Sequence, residues 1–179
     1  MEISMLFADI RGSTRLAEGM RPAEFSRQLN RFYKQATGAL IKSDAYIDKF
    51  VGDEVIGLFF PLFAGKNHAA AAVRAAQEML RVAKYNQAAG QALPMGIGVH
   101  TGVAYVGTVS GAEGSAEDST ALGDNVNVTA RLSSQAGEGE ALISEAAYAA
   151  AGLEFAGVEQ RQLALKGKSE PVGVRVLIS

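Results

Sequence analysis

The chain has 179 residues, 48% hydrophobic and 20% charged, with 20 glycines, 4 prolines and a formal net charge of -2. That length suits one domain, residues 1–179, with a sizeable core, and the composition excludes a disordered polymer. The charge balance argues against a nucleic-acid partner, which would need a basic stripe, and the lack of cysteine rules out disulfides and thiolate metal sites.

In chain order, residues 3–8 form a buried-strand pattern that runs into Asp9-Ile10-Arg11-Gly12-Ser13-Thr14. After Pro22, suited to a first helical turn, Phe25, Leu29, Phe32, Ala36 and Leu40 recur at helical spacing and predict a long amphipathic helix. Residues 45–60 are two β-prone runs meeting at Gly52-Asp53, a two-residue hairpin signal. Alternation along the first run puts Lys49 on one face with Ile47 and Val51. The longest apolar run, residues 55–65, contains Pro61 and is too short to cross a bilayer. No leader precedes the first strand, so a cytoplasmic domain without membrane contact is expected, with flanking domains free to tether the whole protein.

Residues 69–89 predict an alanine-rich helix that packs closely on a sheet, and 95–108 a strand pair turning near Thr101-Gly102. Residues 111–119 are glycine-rich and polar and predict a mobile loop. A short helix over 125–135, a strand over 141–144 and a small helix over 145–151 follow. Strands over 160–165 and 172–178 flank a turn, residues 166–171. The order β-α-β-β-α-β with a C-terminal β extension predicts an α+β, ferredoxin-like sandwich with an antiparallel-rich sheet. Its central strands are apolar throughout, which implies cover on both faces. With no second helical layer evident, a partner subunit is expected to supply part of that cover.

Four constellations carry chemistry. Asp9 ends a strand and Asp53 tips the neighbouring hairpin, so the two carboxylates can leave one sheet edge together as hard oxygen ligands for Mg²⁺ or Mn²⁺; taken alone, two solvated turn aspartates are the plainer reading. Gly12, Ser13 and Thr14 offer backbone N–H groups and hydroxyls to phosphate oxygens, or simply cap a helix. Asn127 and Arg131 share a helix face and suit a ribose and a phosphoryl oxygen, or an ordinary polar surface. Lys49, Thr120, Lys166 and Lys168 complete the set, the last two as a polyphosphate site or a basic turn. Of the histidines, His100 is expected in the core and His68 on the surface.

Together, Phe7-Ala-Asp9-Ile10-Arg-Gly12-Ser-Thr14, Lys49-Phe-Val-Gly-Asp53 and Thr120-Ala-Leu-Gly-Asp-Asn-Val-Asn127-Val-Thr-Ala-Arg131 resemble the class III nucleotidyl cyclase catalytic domain, essentially end to end. The resemblance implies conversion of ATP to 3′,5′-cyclic AMP and pyrophosphate, with two Mg²⁺ or Mn²⁺ ions per site. It implies Asp9, Asp53 and the Ile10 carbonyl as metal ligands, Lys49 and Thr120 as the base-selecting pair, Asn127 on the ribose, Arg131 on the transition state and Lys166 on the triphosphate. It further implies a homodimer with two composite sites, the aspartates of one chain facing Lys49, Thr120, Asn127 and Arg131 of the other. Threonine at position 120 is similar to the subclass known for bicarbonate responsiveness, so bicarbonate activation is an expectation.

Lysine only donates, matching adenine N1, and a threonine hydroxyl can accept from the exocyclic amine; guanine reverses both edges, so the pair points to ATP. Many relatives carry an arginine where Gly96 stands, which leaves Lys166, Lys168 or Arg11 to hold the phosphates. Two rival readings are a diguanylate cyclase, suggested by Val51-Gly-Asp-Glu-Val55, and a catalytically silent nucleotide-sensing or dimerisation module on the same fold.

Overall fold

The computed structural model describes residues 1–88, 93–110 and 117–179. Its frame is a seven-stranded sheet in the order β2-β3-β1-β4-β7-β9-β8, where β1 is Glu2–Ile10, β2 Tyr46–Val51, β3 Glu54–Phe59, β4 Met95–Val103, β7 Glu140–Ser144, β8 Glu159–Leu163 and β9 Val172–Ile178. Neighbours among the first four strands pair antiparallel, as the ferredoxin-like order requires, and β7 extends the sheet by pairing parallel to β4. A separate two-stranded ribbon joins β5, Tyr105–Ser110, to β6, Glu117–Leu122.

The α-helices are α1 Ser13–Gly19, α2 Pro22–Lys42, α3 Pro61–Ala64, α4 His68–Ala88, α5 Asp124–Gln135 and α6 Glu145–Ala151. Helix α2 starts with Pro22 in its first turn and buries Phe32, Ala36, Ala39 and Leu40, the stripe its spacing predicts. Alanines of α4 let its backbone lie close to the sheet, and Gly57 admits Leu40 where a Cβ would collide with it. Together α2, α4 and α6 bury one face around Leu6, Phe59, Ile97, Val99 and Ile143.

The hairpin closes as its sequence suggests. Val51 pairs with Glu54 across Gly52-Asp53, and Gly52 takes the positive φ of 60° that the tight turn needs. A bulge, however, interrupts β2: Ile47 pairs with Gly57 and Lys49 with Ile56, leaving Asp48 as the extra residue. Lys49 therefore does not share a face with Ile47. Ile47 packs toward the helices, whereas Lys49 faces the opposite side with Val51, because one inserted residue reverses the alternation.

The second face carries a helical layer that the sequence pattern did not reveal. Helix α5 lies across it, packing Val126, Val128, Ala130 and Leu132 onto residues that include Met5, Phe7 and Leu142. The chain covers much of this face itself, leaving Tyr46, Val106 and Leu122 exposed near its margin. The reason is Gly98: a Cβ there would stand 2.6 Å from the Thr129 carbonyl and closer still to the Ser133 nitrogen, so only glycine admits α5 at that height.

Three further expectations change. Strand β4 runs straight through Thr101-Gly102, because β1 pairs with it as far as Val103; Gly102 is small because the Asn125 side chain lies against it. Residues 117–119 belong to β6, while 111–116 of the expected mobile loop lie outside the described residues. His68 is buried, its Nδ1 2.9 Å from the Ser4 hydroxyl, which also bonds Thr101 at 2.6 Å.

Gly98→Ala should destabilise the protein by about 2–3 kcal/mol through forced overpacking, read by chemical denaturation. Gly38→Ala, within α2 and open to space, should leave stability unchanged or raise it slightly.

Candidate active site

Asp9 and Asp53 reach the same sheet edge. Asp9 pairs with Glu54, immediately after the hairpin turn, and the Ile10 amide donates to the Asp53 carbonyl at 3.3 Å. The tip is pinned from the helical side: the Tyr33 hydroxyl donates to the Gly52 carbonyl, and its ring lies 4.5 Å from that of Phe50. The Arg11 guanidinium pairs with Asp9 and also donates to the carbonyls of Ser134, at 2.9 Å, and Ala136, at 3.2 Å. It crosses directly above Gly96, where a Cβ would sit 2.9 Å from Nε.

Burial lowers the Arg11 pKa against the raising influence of Asp53 and Glu54. Burial likewise raises the Glu54 carboxyl, helped by the charge of Asp53 and opposed by Arg11. Donors at this edge are oxygens, which fits a hard divalent cation. No group of three or more His, Cys, Asp or Glu side chains gathers among the described residues. A metal here would complete its shell with peptide, water or substrate oxygens. Gly12 caps α1 at φ 67°, and Ser13 and Thr14 open that seven-residue helix with no side-chain cap bond.

A second cluster lies on the sheet face opposite α2. Thr120 Oγ1 donates to Asp48 Oδ2 at 3.1 Å, and Lys49 Nζ stands 3.8 Å from that same oxygen. Asp48 and Thr120 line a cavity of about 270 Å³ with Tyr46, Leu58, Phe60 and Phe63. Its apolar, partly aromatic walls and polar end have the character of a heterocycle site.

Helix α5 carries the third cluster. Asn127 is exposed, and Arg131 lies beside Gly167, held in no ion pair among the described residues. Lys168 pairs with Asp124 in the first turn of α5, whereas Lys166 is exposed. Below the helix, His100 Nε2 lies 2.9 Å from Asn125 Oδ1 and Nδ1 lies 2.8 Å from the Ser144 hydroxyl. Asn125 also donates through Nδ2 to the Val103 carbonyl at 2.8 Å, so its Oδ1 accepts and the imidazole carries its proton on Nε2.

Residues 1–177 match the model of the adenylate and guanylate cyclase catalytic domain family. The chain belongs to that family. The cyclase domain is 35% identical over 137 residues to an adenylate cyclase of Anabaena cylindrica, covering 73% of this chain and 26% of that enzyme. Among solved structures it resembles the adenylyl cyclase CyaB of P. aeruginosa (TM-score 0.86, 32% identity, 99% of this chain and 94% of that one). It equally resembles the guanylyl cyclase Cya2 (TM-score 0.85, 29% identity, 98% and 91%). No helix among the described residues of the cyclase domain is long and apolar enough to cross a membrane.

The cyclase domain thus brings Asp9 and Asp53 to one edge, Lys49 and Thr120 to one carboxylate, and Asn127, Arg131 and the residue 166–168 turn to one helix. Asp48 is the participant that sequence reasoning missed. Its signal was the Asp-Lys pair inside a strand pattern, which alternation placed on opposite faces. Tyr33 was missed as well, since a helix residue gives no hint of the turn it will reach.

Burial lowers the His100 pKa below its ordinary value of 6.5, with the Asn125 bond opposing and Lys168 assisting. Near pH 6.5 the folded state therefore leaves His100 less protonated than the unfolded chain does. The stability due to this group is full above about pH 6.5 and falls as pH drops toward the folded value. Thermal midpoints from pH 7.5 to 5.5 should decline, and His100→Gln should flatten that decline; equal slopes would refute the assignment.

Proposed function

We propose that the domain is an adenylate cyclase forming 3′,5′-cyclic AMP and pyrophosphate from ATP, with active sites shared between two copies of the chain. The observation that carries the reading is the pairing of a donor-only ammonium, Lys49, with the Thr120 hydroxyl around one carboxylate beside an apolar cavity. Adenine offers N1 as acceptor and its amine as donor, the complement of that pair. The Anabaena relative's name agrees with this choice.

In this reading Asn127 positions the ribose and Arg131 meets charge growing on the α-phosphoryl oxygen. The 3′-oxygen forms its bond to phosphorus as the bond to the bridging oxygen of pyrophosphate breaks. Asp9, Asp53 and the Ile10 carbonyl would hold two Mg²⁺ or Mn²⁺ ions, which when bound lower the pKa of the ribose 3′-hydroxyl and offset charge on the leaving group. Gly12, Ser13 and Thr14 stand beside that edge to receive phosphate oxygens. Lys166, exposed and next in the chain to the Gly167 that lies against Arg131, is the cation most available to the triphosphate. Lys168 and Arg11 are engaged with Asp124 and Asp9 and would exchange partners to join it.

In this reading the carboxylate edge of one chain and the α5 face of another close on one nucleotide. The exposed apolar side chains Tyr46, Val106 and Leu122 support a partner at the margin of the second face. Bicarbonate activation and a cytoplasmic setting belong to the same proposal.

Arg131→Ala should lower kcat by roughly 10²–10³, the usual worth of a preorganised charge-stabilising donor. Asp53→Ala should abolish cyclic AMP formation, and both variants should still dimerise. Mixing the two should restore part of the activity, since one site of each heterodimer is intact. Heterodimers without rescue would refute the shared site, and cyclic di-GMP from GTP would refute the reaction.

A further inference from the structure

The Thr120 hydroxyl has its proton committed within the protein. It donates to Asp48 Oδ2 at 3.1 Å, and the alternative acceptor, the Ala121 carbonyl, is 3.5 Å away. A threonine hydroxyl carries one proton and two lone pairs, so with the proton directed at Asp48 its oxygen can only accept from anything in the cavity. Without that carboxylate the hydroxyl could rotate and serve a donor or an acceptor equally well. Asp48 is the bulge residue of β2, and its side chain is only 3% exposed. Burying a carboxylate costs stability that an apolar residue would avoid.

We infer that Asp48 sets the purine preference by fixing the direction of the Thr120 hydroxyl. The inference rests on the adenylate cyclase reading and adds a residue to it. With Asp48 in place, Lys49 presents a donor and Thr120 an acceptor, which fits the adenine edge and opposes guanine at both positions. Asp48 is a positioning residue, acting through Thr120. The bulge makes this possible, because unbroken alternation would send Asp48 and Lys49 to opposite faces.

The test is displacement of a fluorescent ribose-labelled ATP analogue by ATP and by GTP, with cyclic nucleotide formation followed in parallel. The proteins are the wild-type dimer, Asp48→Asn, Asp48→Ala, Thr120→Val and Thr120→Val/Asp48→Asn. Wild type should prefer ATP. Both Asp48 variants should cut the ATP/GTP affinity ratio about tenfold, the usual worth of one misdirected hydrogen bond, whereas a packing defect would weaken both nucleotides alike. Thr120→Val should cut the ratio too, and adding Asp48→Asn to it should change the ratio no further.

An unchanged ratio in whichever Asp48 variant folds, or a further fall when Asp48→Asn is added to Thr120→Val, overturns the inference and leaves the ATP reading standing. A wild type that prefers GTP overturns both. If wild type binds ATP preferentially but makes no cyclic AMP, the proposed reaction fails, and the affinity ratio still decides the role of Asp48.

Discussion

Helix α5 rests on the central sheet at a height that only backbone against backbone allows. At Gly98 there is no side chain to hold it away, and the Thr129 and Ser133 main chain fills the space. The α5 side of the site follows from this contact. Asn127 and Arg131 ride on a helix whose distance from β4 is set by the absence of one methyl group. Gly102 repeats the device for Asn125, which the His100 bond ties to strand β4 and, through Ser144, to the cap of α6. A helix so fastened can present a cationic group to a developing charge without reorganising.

On the other side of the site, irregular backbone does the positioning. The positive φ at Gly52 lifts Asp53 to the ribbon's tip, and Tyr33 holds the tip from α2. Four residues earlier, the bulge at Asp48 lets two consecutive polar side chains serve one face. Regular strands could do neither, since a strand sends neighbours to opposite sides and cannot turn within two residues of ordinary φ. The sheet supplies rigidity, and its two departures from regularity supply aim.

Charge around the site is held in local pairs: Arg11 with Asp9, Lys168 with Asp124, Lys49 with Asp48. Arg11 and Lys168 are potential phosphate ligands already neutralised by a neighbouring carboxylate, which accords with a net charge of only -2. Binding a polyphosphate would exchange these partners rather than fill a strongly positive basin. Arg131, unpaired among the described residues, needs no such exchange, in keeping with the transition-state role proposed for it.

Much of the frame was legible in the residues. The β-α-β-β-α-β order, the α2 stripe from Phe25 to Leu40 and the turn at Gly52-Asp53 rest on short-range patterns of apolar spacing and glycine φ. The family motifs around Asp9, Lys49 and Asn127 were equally plain. What spacing could not reach was longer in range. Periodicity assigns a face but presumes no interruption, so the bulge, and with it the side of Lys49 and the part of Asp48, stayed hidden. Nor could it show that α5 folds back over the second face, or that Gly98 and Gly102 are clearances rather than turns. A glycine reads the same in sequence whether it bends the chain or makes room for another segment, and only tertiary packing decides which.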